Sequence, residues 1–231
     1  LPFDGVDIWH NYEASWLNIK GKPQVAIVQL IVPCNSPYLI ESKSLKLYFN
    51  SLNFAKFDTQ DDYIALVQQD LSAAAGARIS VILLPVEQAY QLNALLGVCL
   101  DEIDIDCQNY DISPQLLSCV NPPQTVTESL YSHLLRSNCP VTNQPDWGSV
   151  KVTYTGVAIE HASLLRYLIS FRQHNDFHEQ CVERIFSDIM RICHPQKLTV
   201  QAFYTRRGGL DINPYRSNFE SFSVFNRLAR Q

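Results

Sequence analysis

Long apolar runs are missing. No stretch of the 231 residues approaches the ~20 consecutive apolar positions that a membrane-spanning helix needs, so no membrane partner is expected. A basic excess is missing too. Eighteen Lys and Arg stand against 23 Asp and Glu, and the formal net charge of -5 gives no global field for nucleic acid. The seven cysteines include no Cys-x-x-Cys pair and no zinc-ligand spacing, and their number is odd. A reduced cytoplasmic compartment without a metal site is therefore expected, not a disulfide scaffold. No Gly-x-Gly-x-x-Gly follows a strand-like run, so a dinucleotide would be held without that fingerprint. Neither an initiator Met nor a signal pattern opens the chain at Leu1-Pro2-Phe3-Asp4-Gly5, and residues upstream of Leu1 are expected. What is present is an ordinary globular composition, 46 % hydrophobic and 18 % charged, long enough for one large or two small domains.

The chain repeats itself. Gln24 to Pro33 is strand-like by its β-branched content, and Leu45 to Phe49 continues apolar after the polar break Glu41 to Ser44. Asp61 to Ala75 has helical spacing, with Ile64, Val67, Leu71 and Ala74 as its apolar stripe and Gly76 as its C-cap. Arg78 to Val86 is another strand. The second half gives Trp147 to Ile159 as a strand, His161 to Phe171 and Asp176 to Cys193 as helices, and Lys197 to Thr205 as a strand. Val182, Ile185, Phe186, Ile189 and Ile192 line one face of the second helix.

The halves superpose in one register. Pro23-Gln24-Val25-Ala26 matches Pro145-Asp146-Trp147-Gly148, Glu41-Ser42-Lys43-Ser44-Leu45 matches Glu160-His161-Ala162-Ser163-Leu164, and Arg78-Ile79-Ser80-Val81 matches Lys197-Leu198-Thr199-Val200. A rival register pairing Cys34 with Cys139 drops the strand at Arg78 into a helix, so Cys34 reads as structural. In the accepted register each half keeps polar groups that the other lacks. A composite site built from two similar units explains this; independent drift of two degenerate repeats is the alternative.

One run carries nucleophilic chemistry: Arg136-Ser-Asn-Cys-Pro-Val-Thr-Asn-Gln-Pro-Asp-Trp-Gly148. It sets a thiol, Cys139, seven positions before a carboxylate, Asp146, in a loop bounded by two prolines. A thiolate can attack while the carboxylate takes the thiol proton and later returns it. By spacing alone, an inert packed cysteine is the commoner outcome. The cationic candidates for phosphate are Ser42 with Lys43, and Arg206-Arg207-Gly208-Gly209 after the last strand, with Arg216 a further one. An exposed strand end explains Arg206-Arg207 equally well. Cys181 and His194 read as a packed thiol and a helix end.

Glu41-Ser-Lys-Ser-Leu-Lys-Leu-Tyr48, Cys139-Pro-Val-Thr-Asn-Gln-Pro-Asp146 and Phe177-His-Glu179 together resemble the NADPH-dependent 7-cyano-7-deazaguanine reductase family, the nitrile reductases of queuosine biosynthesis, in its long two-unit form. The resemblance runs over essentially the whole chain. It implies an α+β fold of two tandem tunnelling-fold units, residues 1–112 and 113–231, each an antiparallel sheet with two helices packed on one face. It implies reduction of the nitrile of 7-cyano-7-deazaguanine to the primary amine through a thioimide on Cys139, with Asp146 as proton carrier. The deazapurine is expected at Ile40, Glu41, Ser42, His178 and Glu179, because one carboxylate can accept from adjacent N–H donors of a guanine edge. The cofactor NADPH is expected at Ser42, Lys43, Arg207 and Gly208. A cytoplasmic homodimer is expected. Two rivals stay in view: a zinc-dependent pterin cyclohydrolase-like enzyme, and a base-binding protein without catalysis.

Overall fold

The computed structural model describes residues 1–87 and 92–231. The chain divides into two compact units. One comprises Val6–Gln91 with Arg206–Ile212; the other comprises Leu1–Gly5, Leu92–Thr205 and Asn213–Gln231.

In chain order the first unit brings β1 (Asp4–Asn18), β2 (Pro23–Pro33), α1 (Ser42–Ser51), the short β3 (Lys56–Phe57), α2 (Gln60–Ala75) and β4 (Ser80–Leu84). β2 pairs antiparallel with β1 and with β4, while β3 runs parallel beside the end of β1. Alternate residues of β2 (Ala26, Val28, Leu30 and Val32) point into one core with Trp16 of β1. Leu45 and Phe49 of α1 close that face with Tyr63, Val67, Leu71 and Ala75 of α2. Both helices therefore lie on one side of the sheet. The predicted α2 stripe is corrected at its ends: Tyr63 and Ala75 are buried, Ile64 is half-buried and Ala74 is exposed. The i,i+4 row that wins is the one that stacks Tyr63 on Trp16, with ring centroids 4.4 Å apart. Thr59 and Asp62 make a capping box, and Gly76 ends the helix in the left-handed region at φ 67°.

The apolar run Leu45 to Phe49 proves helical. Glu41 caps it, accepting from the Lys43 and Ser44 amides, and Leu45 and Phe49 fall on its buried face.

The second unit brings β5 (Val98–Cys99), β6 (Thr125–Asn138), β7 (Pro145–Val157), α3 (His161–Ile169), α4 (His178–Cys193), β8 (Lys197–Tyr204) and, from Asn213 on, most of β9 (Leu210–Ser217). β6, β7, β8 and β9 pair antiparallel in that order. Val150, Val152 and Tyr154 of β7 and Leu198, Val200 and Ala202 of β8 alternate into the core. α4 packs on β8 and α3 on β6. Val182, Ile185, Phe186 and Ile189 are buried as predicted; Ile192 is half-buried and Cys193 completes the row. The fold is α+β, with an antiparallel sheet and two helices in each unit.

The internal repeat is visible in detail. Pro23 and Pro145 both open a strand, and Glu41 and Glu160 both cap the first helix of their unit through two backbone amides. β1 and β6 each carry a register irregularity, at Asn11/Ala14 and at Ser132/Leu135.

Candidate active site

Cys139 is the first residue beyond β6, in the hairpin that returns as β7. Its amide donates to the Gln144 carbonyl at 2.9 Å, and its carbonyl accepts from the Asn143 amide at 2.9 Å. The closed loop needs a left-handed residue, and Asn143 supplies it at φ 55°. Asn143 Oδ1 accepts from Asn175 Nδ2 at 2.9 Å, which ties the loop to the segment before α4. Asn138 reinforces that tie: its amide donates to the His174 carbonyl at 2.7 Å, and its carbonyl accepts from the Asp176 amide at 3.1 Å. The first turn of α4, which carries His178 and Glu179, is thereby fixed beside the end of β6. On the hairpin's outer side, the guanidinium groups of Arg136 and Arg172 both lie over the Trp147 ring, 5.3 and 5.5 Å from its centroid.

Asp146 lies opposite Ser137 in the β6–β7 register and faces the helix side of β7, 7 % exposed. Its Oδ2 is 3.3 Å from Nε2 of His178. The His178 ring stacks on Tyr204 of β8, centroids 3.8 Å apart and planes within 6°. Gly148, two residues after Asp146 on the same face, makes this possible. A Cβ there would meet the Tyr204 ring at 3.1 Å. Nδ1 of His178 is buried and has no hydrogen-bond partner among the described residues, so it stays available to a ligand. Glu179 is 3 % exposed in the same helical turn. Below them lies Cys181. Burial pushes its thiol up to about 12, and the nearby Ser137 and Tyr204 hydroxyls only partly oppose this. It is a packed thiol, not a nucleophile.

The structure thus brings Cys139, Asp146, His178 and Glu179 into one unit, on one hairpin and one helical turn. The contact of His178 with Asp146 and the floor supplied by Tyr204 and Gly148 escaped the sequence reading. Tyr204 looked like any strand residue, and only the three-dimensional stack distinguishes it.

The other predicted site residues belong to the first unit. Ile40 packs against its core. Glu41 holds the start of α1: Oε1 accepts from the Lys43 amide at 2.7 Å, and Oε2 accepts from the Ser44 amide at 2.7 Å and from the Ser44 hydroxyl at 2.9 Å. Its slight desolvation would raise the carboxyl pKa, but those hydrogen bonds outweigh it and hold the group below its ordinary value. Ser42 and Lys43 form the first turn above this cap. Arg207 and Gly208 lie in the turn between β8 and β9, where Gly208 and Gly209 have φ values of 58° and 76°. A Cβ on Gly208 would meet the Lys46 side chain of α1 at 3.2 Å, so this turn and α1 approach closely. Asn11, Glu13, Lys46, Phe49, Asn50 and Gly208 line a cavity of about 120 Å³ there. Cations from two elements, with glycine backbone between them, suit the phosphates of a dinucleotide. Arg216 is a correction. It is 1 % exposed, with Nε and Nη2 donating to Glu183 Oε1 at 3.1 and 2.8 Å and Nη1 to its neighbour's carbonyl, so it is a core ion pair.

Among the described residues, no three His, Cys, Asp or Glu side chains gather as a metal site. No helix is long and apolar enough to cross a membrane.

Comparison with known proteins gives concordant matches. Residues 1–83 match the family model described as nitrile reductase, 7-cyano-7-deazaguanine-reductase N-term, and residues 145–221 match that of QueF-like protein. The chain is 55 % identical over 232 residues to the NADPH-dependent 7-cyano-7-deazaguanine reductase of Hydrogenovibrio crunogenus, covering all of this chain and 83 % of that protein. It is 56 % identical over 234 residues to the Chromobacterium violaceum protein of the same name, covering all of this chain and 84 % of that one. Among solved structures, the archaeosine synthase QueF-Like in its apo form aligns with 43 % of this chain and 99 % of its own, at 17 % identity and a TM-score of 0.37.

Proposed function

This chain belongs to the NADPH-dependent 7-cyano-7-deazaguanine reductase family, and we propose that Cys139 and Asp146 perform its chemistry through a covalent thioimide. The overall reaction converts the nitrile of 7-cyano-7-deazaguanine to the primary amine of 7-aminomethyl-7-deazaguanine, a step of queuosine biosynthesis. The observation that carries the residue assignment is the buried Asp146–His178 pair at the mouth of the hairpin that presents Cys139.

Each residue has a definite task. The Cys139 thiolate adds to the electrophilic nitrile carbon, forming the C–S bond while the π electron pair moves to nitrogen. Asp146 accepts the thiol proton and delivers it to that nitrogen, giving a neutral thioimide. His178 holds the Asp146 carboxylate through Nε2 and turns Nδ1 toward the base. Glu179 accepts two N–H donors of the guanine-like edge, with Glu41, Ser42 and the backbone of Ile40 proposed for the other side of the heterocycle. NADPH, when bound, would supply hydride twice; one further proton completes the amine, and a second restores the Cys139 thiol. After the first reduction the C–S bond breaks, and Cys139 leaves as thiolate. The imine so formed must be kept from water, which a closed site does. Ser42, Lys43, Arg207 and Gly208 hold the cofactor's phosphates in this reading, supported by the approach of α1 to the glycine turn.

A cytoplasmic homodimer belongs to the same proposal. β4 pairs only with β2 among the described strands and offers an open edge, as sheets that close by pairing do. Light scattering of the purified chain checks the dimer.

The deciding experiment is intact-mass measurement after mixing with the nitrile and no NADPH. An adduct should map to Cys139. Cys139→Ala should abolish adduct and turnover, whereas Cys34→Ala should leave turnover nearly intact. An adduct on Cys34, or on no cysteine, refutes the assignment.

A further inference from the structure

The first unit contains a buried polar network that the chemistry above does not use. Asp211, near the start of β9, and His10 of β1 have side chains only 0 % and 2 % exposed. Nδ1 of His10 is 2.8 Å from Asp211 Oδ1. The Tyr12 hydroxyl donates to Asp211 Oδ2 at 2.6 Å. On the other side of the imidazole, Nε2 is 3.0 Å from the side-chain amide nitrogen of Gln29. That nitrogen can only donate, so Nε2 accepts and the proton lies on Nδ1, donated to Asp211. A carboxylate removed from water is unfavourable unless it is fully paired. Here both of its oxygens are paired, and through Tyr12 the network reaches one turn in particular.

That turn carries Arg207 and Gly208. Tyr12 grips it three ways. Its backbone amide donates to the Gly209 carbonyl at 2.9 Å. Its hydroxyl holds Asp211. Its ring lies beneath the Arg206 guanidinium, 4.5 Å from the centroid. Residues 206, 209 and 211 are thus all anchored to one side chain and its backbone. Arg207 and Gly208 are the two residues carried between the anchors, and the Arg207 amide closes the turn on the Leu210 carbonyl at 2.8 Å.

We propose that His10, Tyr12 and Asp211 are positioning residues that hold the Arg207–Gly208 turn in the shape that receives a phosphate of NADPH. The proposal rests on the assignment of that turn to the cofactor. A left-handed pair of glycines has many alternative conformations, and anchoring it beforehand removes the ordering cost from ligand binding.

The test uses the full chain with Tyr12→Phe, Asp211→Asn and Arg207→Ala. Tyr12→Phe keeps the ring and the backbone bond and removes the hydroxyl that donates to Asp211, so it is the variant least able to disturb folding. Three quantities are measured: NADPH binding by calorimetry, the Michaelis constant for NADPH against kcat, and adduct formation on Cys139 without NADPH. Tyr12→Phe and Asp211→Asn should each weaken NADPH binding about tenfold, as loss of one charge-assisted hydrogen bond does. The Michaelis constant should rise in parallel, while kcat at saturation and the adduct stay near the parent values. The double variant Tyr12→Phe/Arg207→Ala should bind no more weakly than Arg207→Ala alone, because the tyrosine acts through the arginine. Unchanged NADPH binding in Tyr12→Phe and Asp211→Asn, or additive losses in the double variant, overturns the positioning role. Equal loss of adduct formation and NADPH binding shows a merely structural network and overturns it too. Unchanged binding in Arg207→Ala refutes the underlying assignment of the turn, and the proposal with it.

Discussion

Asp146 is buried, with Nε2 of His178 3.3 Å from its carboxylate, and the work proposed for it is to take a proton and give it back. Asn at this position keeps the shape but cannot accept or return a proton. Asp146→Asn should therefore still bind the nitrile, while adduct formation and turnover fall by the ~10²–10⁴ of a lost acid–base group. Stopped-flow absorbance and intact mass measure the two; a near-native rate sinks the role. The closeness of Cys139 and Asp146 along the fold could be read from one short run, because both lie on one hairpin. The partnership with His178 could not, since 32 positions separate it from Asp146 and only the placement of the start of α4 beside the end of β6 joins them. The same limit hid Asp211, whose meaning depends on residues of β1 some 200 positions away.

Elements differ in legibility for physical reasons. β2, β7 and β8 were legible because β-branched and alternating residues fill their buried face. β1 and β6 went unread. Each has a register irregularity that breaks period-2 alternation, and each buries polar residues: Asp7, His10 and Asn11 in β1, Ser132, Ser137 and Asn138 in β6. α1 was masked by its brevity, although Glu41 with Ser44 was a helix-start signal and Glu160 repeats it in the second half. The pairing of β7 with β8 also yields a test of how the floor of the site is built. Gly148 makes room for the Tyr204 ring, and that ring carries His178. Gly148→Ala places a methyl 3.1 Å from the fully buried Tyr204 ring, which must shift to admit it. Overpacking of this kind costs roughly 1–3 kcal/mol of stability. Because the displaced ring takes His178 with it, the rate of adduct formation should fall by more than the stability loss explains at a temperature where the chain remains folded. Thermal unfolding and adduct kinetics measured on one sample separate the two effects; a folded variant with parental kinetics denies Tyr204 its role.

At the scale of the molecule, two copies of one architecture have kept different polar groups. Cys139, Asp146 and Glu179, proposed for the nitrile and its base, belong to the second unit, while Lys43 and the Arg207–Gly208 turn, proposed for the cofactor, belong to the first. Pro145-Asp146 stands where the first unit has Pro23-Gln24, so one strand start kept an ionisable group and its counterpart kept an amide. Such a division predicts variants that separate by ligand. Lys43 is exposed in the first turn of α1, and losing it removes one cation from the proposed phosphate site. Lys43→Ala should raise the Michaelis constant for NADPH while the thioimide still forms on mixing with nitrile. Glu179→Ala should do the opposite. It leaves the N–H donors of the base unpaired in a buried place, which costs ~1–3 kcal/mol or more, so adduct formation should weaken about tenfold or further while NADPH binding survives. Titrating each variant with the two ligands separately, by fluorescence or calorimetry, decides the matter. If Lys43→Ala binds NADPH as the parent does, the first unit's cation is only a solvated surface charge, and the division of labour fails for the cofactor while Cys139 and Asp146 keep their assignment.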